Sequence, residues 1–394
     1  MRYMVVILDG ASDWPIPELG FRTCLQAAST PNLDSMASEG IVGLASTVPS
    51  GTEPSSSAAC MSILGYDPVA EYIGRGAIEA ASLGIDLQPD EVALRLNLVA
   101  VEDGVMKSYS GGHISTAESH SIVSELAAEL DDDSFRLYPG VSYRHILVVS
   151  GRPELLGCEY TPPHDISDKP IAEYLPKGAG VQMLLDYMTR AQLILHRGEA
   201  NKLRASQGKL EITDVWPFWP GMKPGKLTSF SDRFGISAAM TSGVDLLGGL
   251  AKLTGMDRLT IAGVTDGPDN DYRAQALGAI SALSDYQLVV VHVESPDEAG
   301  HAGDLSAKIE AIEAIDREIL SRIREIPDDV RVLAMPDHAT PIELKTHVGE
   351  PVPFLLWGAG VEPNGDYRFD ESSAEKSGLM VDPGHKIMEL LLER

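Results

Sequence analysis

Long hydrophobic runs are missing from this 394-residue chain. No apolar stretch approaches the roughly 20 residues of a membrane span, so no membrane partner is expected. The opening MRYMVVILDG lacks a charged n-region, a long apolar h-region and a small-residue cleavage site. It reads as a buried strand rather than a leader. Basic runs are missing as well: the formal charge is −27 with no Lys/Arg cluster to offset it. That argues against nucleic acid or an anionic membrane surface as partner. Cysteine is scarce, with Cys24, Cys60 and Cys158 widely spaced and odd in number. This argues against a disulfide framework or zinc spacing and favours reduced thiols in a cytoplasmic protein. Internal repeats, extended low-complexity segments and a Walker-type loop for a nucleotide are absent too.

What is present is a chain long enough for two or three domains. Apolar runs at 3–8, 259–264, 287–293, 331–335 and 353–357 read as buried parallel strands covered on both faces. Between them lie helical patterns. From 305 to 326, Leu305, Ile309, Ile312, Ile315, Ile319, Ile323 and Ile326 form one apolar stripe, with Lys308, Glu310, Glu313, Arg317 and Arg322 mostly off it. The segment TPNLDSMASEG (30–40) has Thr-Pro at a helix start and Gly at its end. Strand–helix alternation predicts an α/β sandwich. Residues 86–227 differ: alternating strands, an acidic helix and a Pro- and Trp-rich stretch predict a smaller α+β domain inserted into a core of 1–85 and 228–394.

Three strand ends carry residues suited to metals. VVVHVESPDEAGH supplies Asp297 and His301, four apart and on one face if the turn is helical. RVLAMPDHATP supplies Asp337 and His338, with His347 close behind, where open α/β sheets place ligands. VVILDGASD supplies Asp9. Each alone has a plainer explanation as a helix cap or surface histidine; the set of carboxylates and imidazoles suits Zn²⁺ or Mn²⁺ better than Mg²⁺. Two ions about 3.5–4 Å apart would clamp a phosphoryl group, and a nearby serine would be activated as nucleophile. The segment PSGTEPSSSAACMSILGYDP (49–68) offers serines at the start of an apolar helix.

The ordered set LDG, TPNLD, the serine loop running into GYDP, GRGAIEA, HVESPDEAGH, PDHATP and HVGEPVPF covers nearly the whole chain. It resembles the archaeal-type cofactor-independent phosphoglycerate mutases of the alkaline phosphatase superfamily, and within them a bacterial branch labelled proposed homoserine kinase. The resemblance implies an alkaline phosphatase-like α/β sandwich core with the inserted domain as a substrate-binding cap that closes to exclude water. It implies Ser56 as nucleophile, Asp297, His301 and His347 around one divalent ion, and Asp9, Ser56, Asp337 and His338 around a second. Arg75, Arg95, Asn97, His113, Arg144, His164 and Asp165 are candidates for binding the phosphate or carboxylate, since Arg forks match both anions.

The expected reaction interconverts 3- and 2-phosphoglycerate through a phosphoserine, a glycolytic isomerisation without 2,3-bisphosphoglycerate. The partner is a small phosphorylated metabolite, and a homo-oligomer is left open. Departures keep alternatives in view. Cys60 stands where these mutases carry a histidine, Gln275 where they carry a lysine, and WPFWPG around Trp219 replaces an Arg-Gly. The alternatives are a homoserine kinase-like phosphotransferase, a phosphatase of a small phosphoester, or an inert phosphometabolite-binding homologue.

Overall fold

The computed structural model describes residues 1–71, 73–223, 227–326 and 329–393. Tyr72, which stands before the GRGAIEA motif, and Pro224–Lys226, at the end of the Pro- and Trp-rich stretch, lie outside them. The chain divides into two compact units, Met1–Tyr72 with Lys226–Arg394, and Ile73–Gly225. The second unit therefore takes in residues 73–85, because the helix Arg75–Ser82 packs on the strands Glu91–Glu102 and Asp214–Met222.

The first unit is built on an eight-stranded sheet. Its order is Met380–Val381, Ile41–Ala45, Val352–Gly358, Val330–Met335, Arg2–Leu8, Leu288–Val293, Ala238–Thr241 and Asp257–Arg258. Arg2–Leu8 runs parallel to both its neighbours, pairing Val5 with Val290 and with Leu333. Met4, Val6 and Leu8 join Ile312, Ile315, Ile319, Ala276 and Ala279 in one core, while Val5 and Ile7 are equally buried on the opposite face. Burial on both faces explains why these strands are apolar without alternation. Their C-terminal ends deliver Asp9, Ser242, Glu294 and Asp337 to one edge of the sheet.

Four expectations are corrected. Residues 259–264 form no strand; the two-residue strand Asp257–Arg258 ends before them. Gly263 turns in the left-handed region and Ile261 lies over Gly278 of the helix Tyr272–Ala282, so the run packs on a helix as a loop. The strand Val352–Gly358 is antiparallel to Val330–Met335, not parallel. No crossover helix separates the two, and a parallel return needs one. The stripe from 305 is not one α-helix: Leu305–Ile315 passes into a π turn at Asp316–Leu320. There Asp316 turns aside to accept from the Leu33 N–H (2.7 Å) and the Asn32 amide (2.9 Å), capping the helix Pro31–Ser38 that Thr30 does not cap. Lys308, expected on the polar side, is fully buried against Asp13.

The second unit is a five-stranded antiparallel sheet around Glu91–Glu102, which pairs with Val105–Ser108, Arg144–Ser150 and Asp214–Met222. Its core gathers Leu94, Leu96 and Leu98 with Ile122 and Leu126 of the helix Thr116–Leu130 and Leu184 and Tyr187 of the helix Gln182–Arg197. Among the described residues Asp214–Met222 pairs only with Glu91–Glu102, an edge position that tolerates Pro217 and Pro220. Among the described residues no helix is long and apolar enough to cross a membrane.

Candidate metal centre

Asp9 leaves its strand with its N–H on Val293 O (3.0 Å), and the chain then turns at Gly10, φ +61°. A Cβ at Gly10 would strike the Asp297 carboxylate and Thr340 Oγ1, so only glycine lets the Asp9 loop lie this close to Asp297. Pro296 sits in the first turn of the helix Ser295–Ala302, which places Asp297 and His301 one turn apart on one face. His301 Nε2 is 3.2 Å from Asp297 Oδ2, His347 Nε2 is 3.6 Å from Asp297 Oδ1, and the two Nε2 atoms are 2.8 Å apart. His301 Nδ1 donates to Lys345 O (3.0 Å) and His347 Nδ1 to Pro54 O (3.3 Å). Each ring thus puts a proton on its outer nitrogen and turns Nε2 inward, the orientation of imidazoles that ligate a metal once Nε2 is deprotonated.

Beside this group lie Asp9, Asp337 and His338, with ligand atoms within 4.8 Å of one another. His338 Nε2 is 3.5 Å from Asp9 Oδ1 and 3.4 Å from Asp337 Oδ2. Asp337 Oδ1 accepts from the N–H groups of His338 (2.8 Å) and Gly10 (3.2 Å). Ser55 caps the helix Ser56–Ile63 by accepting from Ala58 N–H, and Ser57 hydrogen-bonds Ser55 at 3.1 Å. Ser56 alone of the three turns to the site, with Oγ 3.2 Å from His338 Nε2. One turn on, the Cys60 thiol donates to Asp337 Oδ2 at 3.6 Å.

The electrostatics call for a cation. Burial and the neighbouring Asp337 and Asp297 carboxylates push Asp9 well above the usual carboxylate range. Burial does the same to Glu294, reinforced by Asp9. Burial also opposes ionisation of Asp297, but His301 and His347 hold it well below the usual range. Asp9 Oδ1 is buried with no donor among the described residues. The residues therefore fit divalent ions: oxygen and imidazole donors converge, and a buried oxygen has no protein partner.

Asp297 raises His301 to about 9. In the metal-free protein this contributes stability fully below about 6.5, lost as pH rises through about 9. Metal binding must displace that proton. Mn²⁺ titration calorimetry in buffers of different ionisation enthalpy is expected to show proton release at pH 7, with affinity rising towards pH 9. An affinity that is flat between pH 7 and 9 would contradict it.

In the second unit, Glu79 Oε1 accepts from Arg75 Nε and Arg95 Nη1, both at 2.9 Å. Trp219 is the extra residue of a β-bulge, φ +47°, and its ring lies 3.9 Å from the Arg75 guanidinium carbon. Bulges of this kind re-aim a side chain. His164 packs on Trp219 and Phe218, Asn97 donates to Tyr109 O, and the charge of Arg144 acts on Arg95. Asp165 lies 3.8 Å from His164, exposed. His113 is exposed, with a left-handed backbone, and shares none of these contacts. Gln275 is internal rather than a pocket residue: its amide donates to His292 O and accepts from Asn270 (both 2.9 Å). The sequence reading missed His292 and Glu294, which group with Asp9 as potential ligands. The signal was the alternation in HVE, two polar residues closing an otherwise apolar strand.

A serine at a helix start, set against carboxylates and imidazoles at the ends of parallel strands, defines the class. This is a metal-dependent phosphotransferase. The family model described as 2,3-bisphosphoglycerate-independent phosphoglycerate mutase matches residues 37–201. A curated protein of that name from Methanosarcina acetivorans is 42% identical over 398 residues, covering all of both chains. A probable one from Geobacter sulfurreducens is 42% identical over 402 residues, again covering all of both. Among solved structures, a Thermoplasma acidophilum cofactor-independent phosphoglycerate mutase has 28% identity and a TM-score of 0.69, covering 100% of this chain and 99% of that one. A Pyrococcus horikoshii protein has 29% identity and a TM-score of 0.83, with 100% and 96% covered. The chain belongs to the 2,3-bisphosphoglycerate-independent phosphoglycerate mutase family, a family of metal-dependent isomerases.

Proposed function

We propose that the chain interconverts 3-phosphoglycerate and 2-phosphoglycerate through a phosphoserine at Ser56, without 2,3-bisphosphoglycerate. The observation that carries this is the position of Ser56 Oγ, 3.2 Å from His338 Nε2 at the start of a helix. One divalent ion would be held by Asp297, His301 and His347, and a second by Asp9, Ser56, Asp337 and His338, with Mn²⁺ or Zn²⁺ favoured by the imidazoles. When bound, the ions supply positive charge that eases ionisation of the Ser56 hydroxyl and neutralises phosphoryl oxygens.

Ser56 Oγ attacks phosphorus in line. The Oγ–P bond forms, the P–O bond to the glycerate carbon breaks, and the departing oxygen takes up the proton that Ser56 gave. The other glycerate hydroxyl then attacks the phosphoserine, the Oγ–P bond breaks, and Ser56 regains its proton. The N–H groups opening the helix Ser56–Ile63 favour the phosphoryl group. Arg75, Arg95, Arg144, Asn97 and His164 are proposed to take the substrate's remaining anionic group. The buried Arg95 Nε, which has no acceptor among the described residues, supports that reading.

Phosphorus NMR of Mn²⁺-loaded protein tests it. With 3-phosphoglycerate alone, 2-phosphoglycerate is expected to accumulate to equilibrium. Release of phosphate alone would make it a phosphatase, and turnover only with ATP and homoserine would make it a kinase-like enzyme. Either result overturns the mutase reading.

A further inference from the structure

Behind Asp9 lies a buried chain of side chains that the reaction above does not use. Ser242, just past the strand Ala238–Thr241, has Oγ 3.0 Å from His292 Nδ1. The same Oγ accepts from Val244 N–H at 3.0 Å, which leaves the hydroxyl proton for His292. His292, buried in the strand Leu288–Val293, has Nε2 2.7 Å from Asp9 Oδ2. As a metal ligand Asp9 would be a carboxylate with no proton to give, so His292 Nε2 would donate to Oδ2 while Nδ1 accepts from Ser242. The His292 main chain is pinned as well, its carbonyl accepting from Gln275 at 2.9 Å. Asp9 Oδ1 is left without a donor among the described residues, 3.5 Å from His338 Nε2 on the Ser56 side.

We propose that His292, keyed by Ser242, is a positioning residue that occupies Asp9 Oδ2 and so presents Asp9 to the Ser56 site through Oδ1 alone. This rests on the reading of Asp9 as a ligand. The device explains why Ser242, just past one strand, and His292, in the adjacent parallel strand, are buried polar residues among apolar neighbours. Hydrogen-bonding partners behind metal ligands typically change affinity about 10–100-fold when removed.

The test is Mn²⁺ titration, by calorimetry and by electron paramagnetic resonance of free Mn²⁺, with melting temperature read in parallel. His292→Leu, which has no donor, is expected to weaken one of two Mn²⁺ sites about 10–100-fold. His292→Gln, whose amide can donate to Asp9, should recover most of that affinity. Ser242→Ala should fall between, and Ser242→Thr, which keeps the hydroxyl, should match the parent. If His292→Leu does not fold, the Ser242→Ala and Ser242→Thr pair carries the test. Unchanged Mn²⁺ affinity in His292→Leu and Ser242→Ala overturns the proposal. So does a third Mn²⁺ in the parent that His292→Leu loses, since His292 would then be a ligand itself. Asp9→Asn binding both ions with parental affinity would instead overturn the reading of Asp9 as a ligand, and the proposal with it.

Discussion

Ser56→Ala is expected to lose turnover by on the order of 10⁴–10⁶-fold, the cost of deleting a covalent nucleophile, while still binding Mn²⁺. The substitution removes one hydroxyl from a half-buried position at a helix start. It leaves the Ser55 cap untouched, and alanine suits a first helical turn, so the fold should hold. Six of the seven proposed ligands remain, three of them on the Asp297 side. A merely supporting serine predicts something different: a modest loss, offset by higher substrate concentration. Ser55→Ala and Ser57→Ala provide that contrast. Ser55→Ala should cost about 1 kcal/mol of stability through the lost cap, with turnover largely kept. Steady-state rates and melting temperatures of the three variants separate a nucleophile from its capping neighbours.

Lys308→Met is expected to be the most damaging substitution for stability, about 3–5 kcal/mol. Lys308 Nζ reaches Asp13 Oδ2 (2.8 Å), Thr340 O (2.8 Å) and Ser12 O (3.1 Å), all buried. Methionine fills similar volume, so the loss comes from the Asp13 carboxylate and two carbonyls left without their cation. Asp13 would keep weaker donors in the Cys24 thiol and Ile342 N–H. The damage should reach the site. Ser12 follows the Asp9 loop, and Thr340 Oγ1 hydrogen-bonds Asp297 and lies 3.3 Å from His338 Nδ1. Denaturant unfolding of Lys308→Met, Asp13→Asn and the double variant checks this. The double should be closer to the parent than the sum of the singles. Strict additivity would mean that the pair is not coupled.

The strand ends were legible in the sequence because buried parallel strands are apolar nearly throughout, so Asp9 and Asp337 stand out as the first polar residues past theirs, and Asp297 follows Glu294 within the turn after a third. The spacing of Asp297 and His301 held because Pro296 opens a real helix there. What could not be read was which side of an element a polar residue faces once tertiary partners are supplied. Lys308 looked like a solvated residue off an apolar stripe, and only the Asp13 loop shows it to be a buried cation. His292 was hidden for the same reason: Ser242 is 50 residues away in sequence and Asp9 is 283. Gln275 looked like the loss of a lysine's charge, yet its amide is spent on the backbone of His292. Of the serines, composition marked the cluster, while the split of roles between the capping Ser55 and the inward-facing Ser56 needed helix geometry. His113 shows the reverse: an appealing motif residue that the second unit's fold leaves outside its arginine cluster.

The most direct test of the account is to quench Mn²⁺-loaded protein with acid during turnover of 3-phosphoglycerate and map phosphorylation by peptide mass. One phosphoryl group on the peptide containing Ser56, absent from Ser56→Ala and lost when turnover is chased to completion, is the predicted result. Full mutase turnover with no phosphate on Ser56 at any quench time, or with the label on another residue, would contradict it.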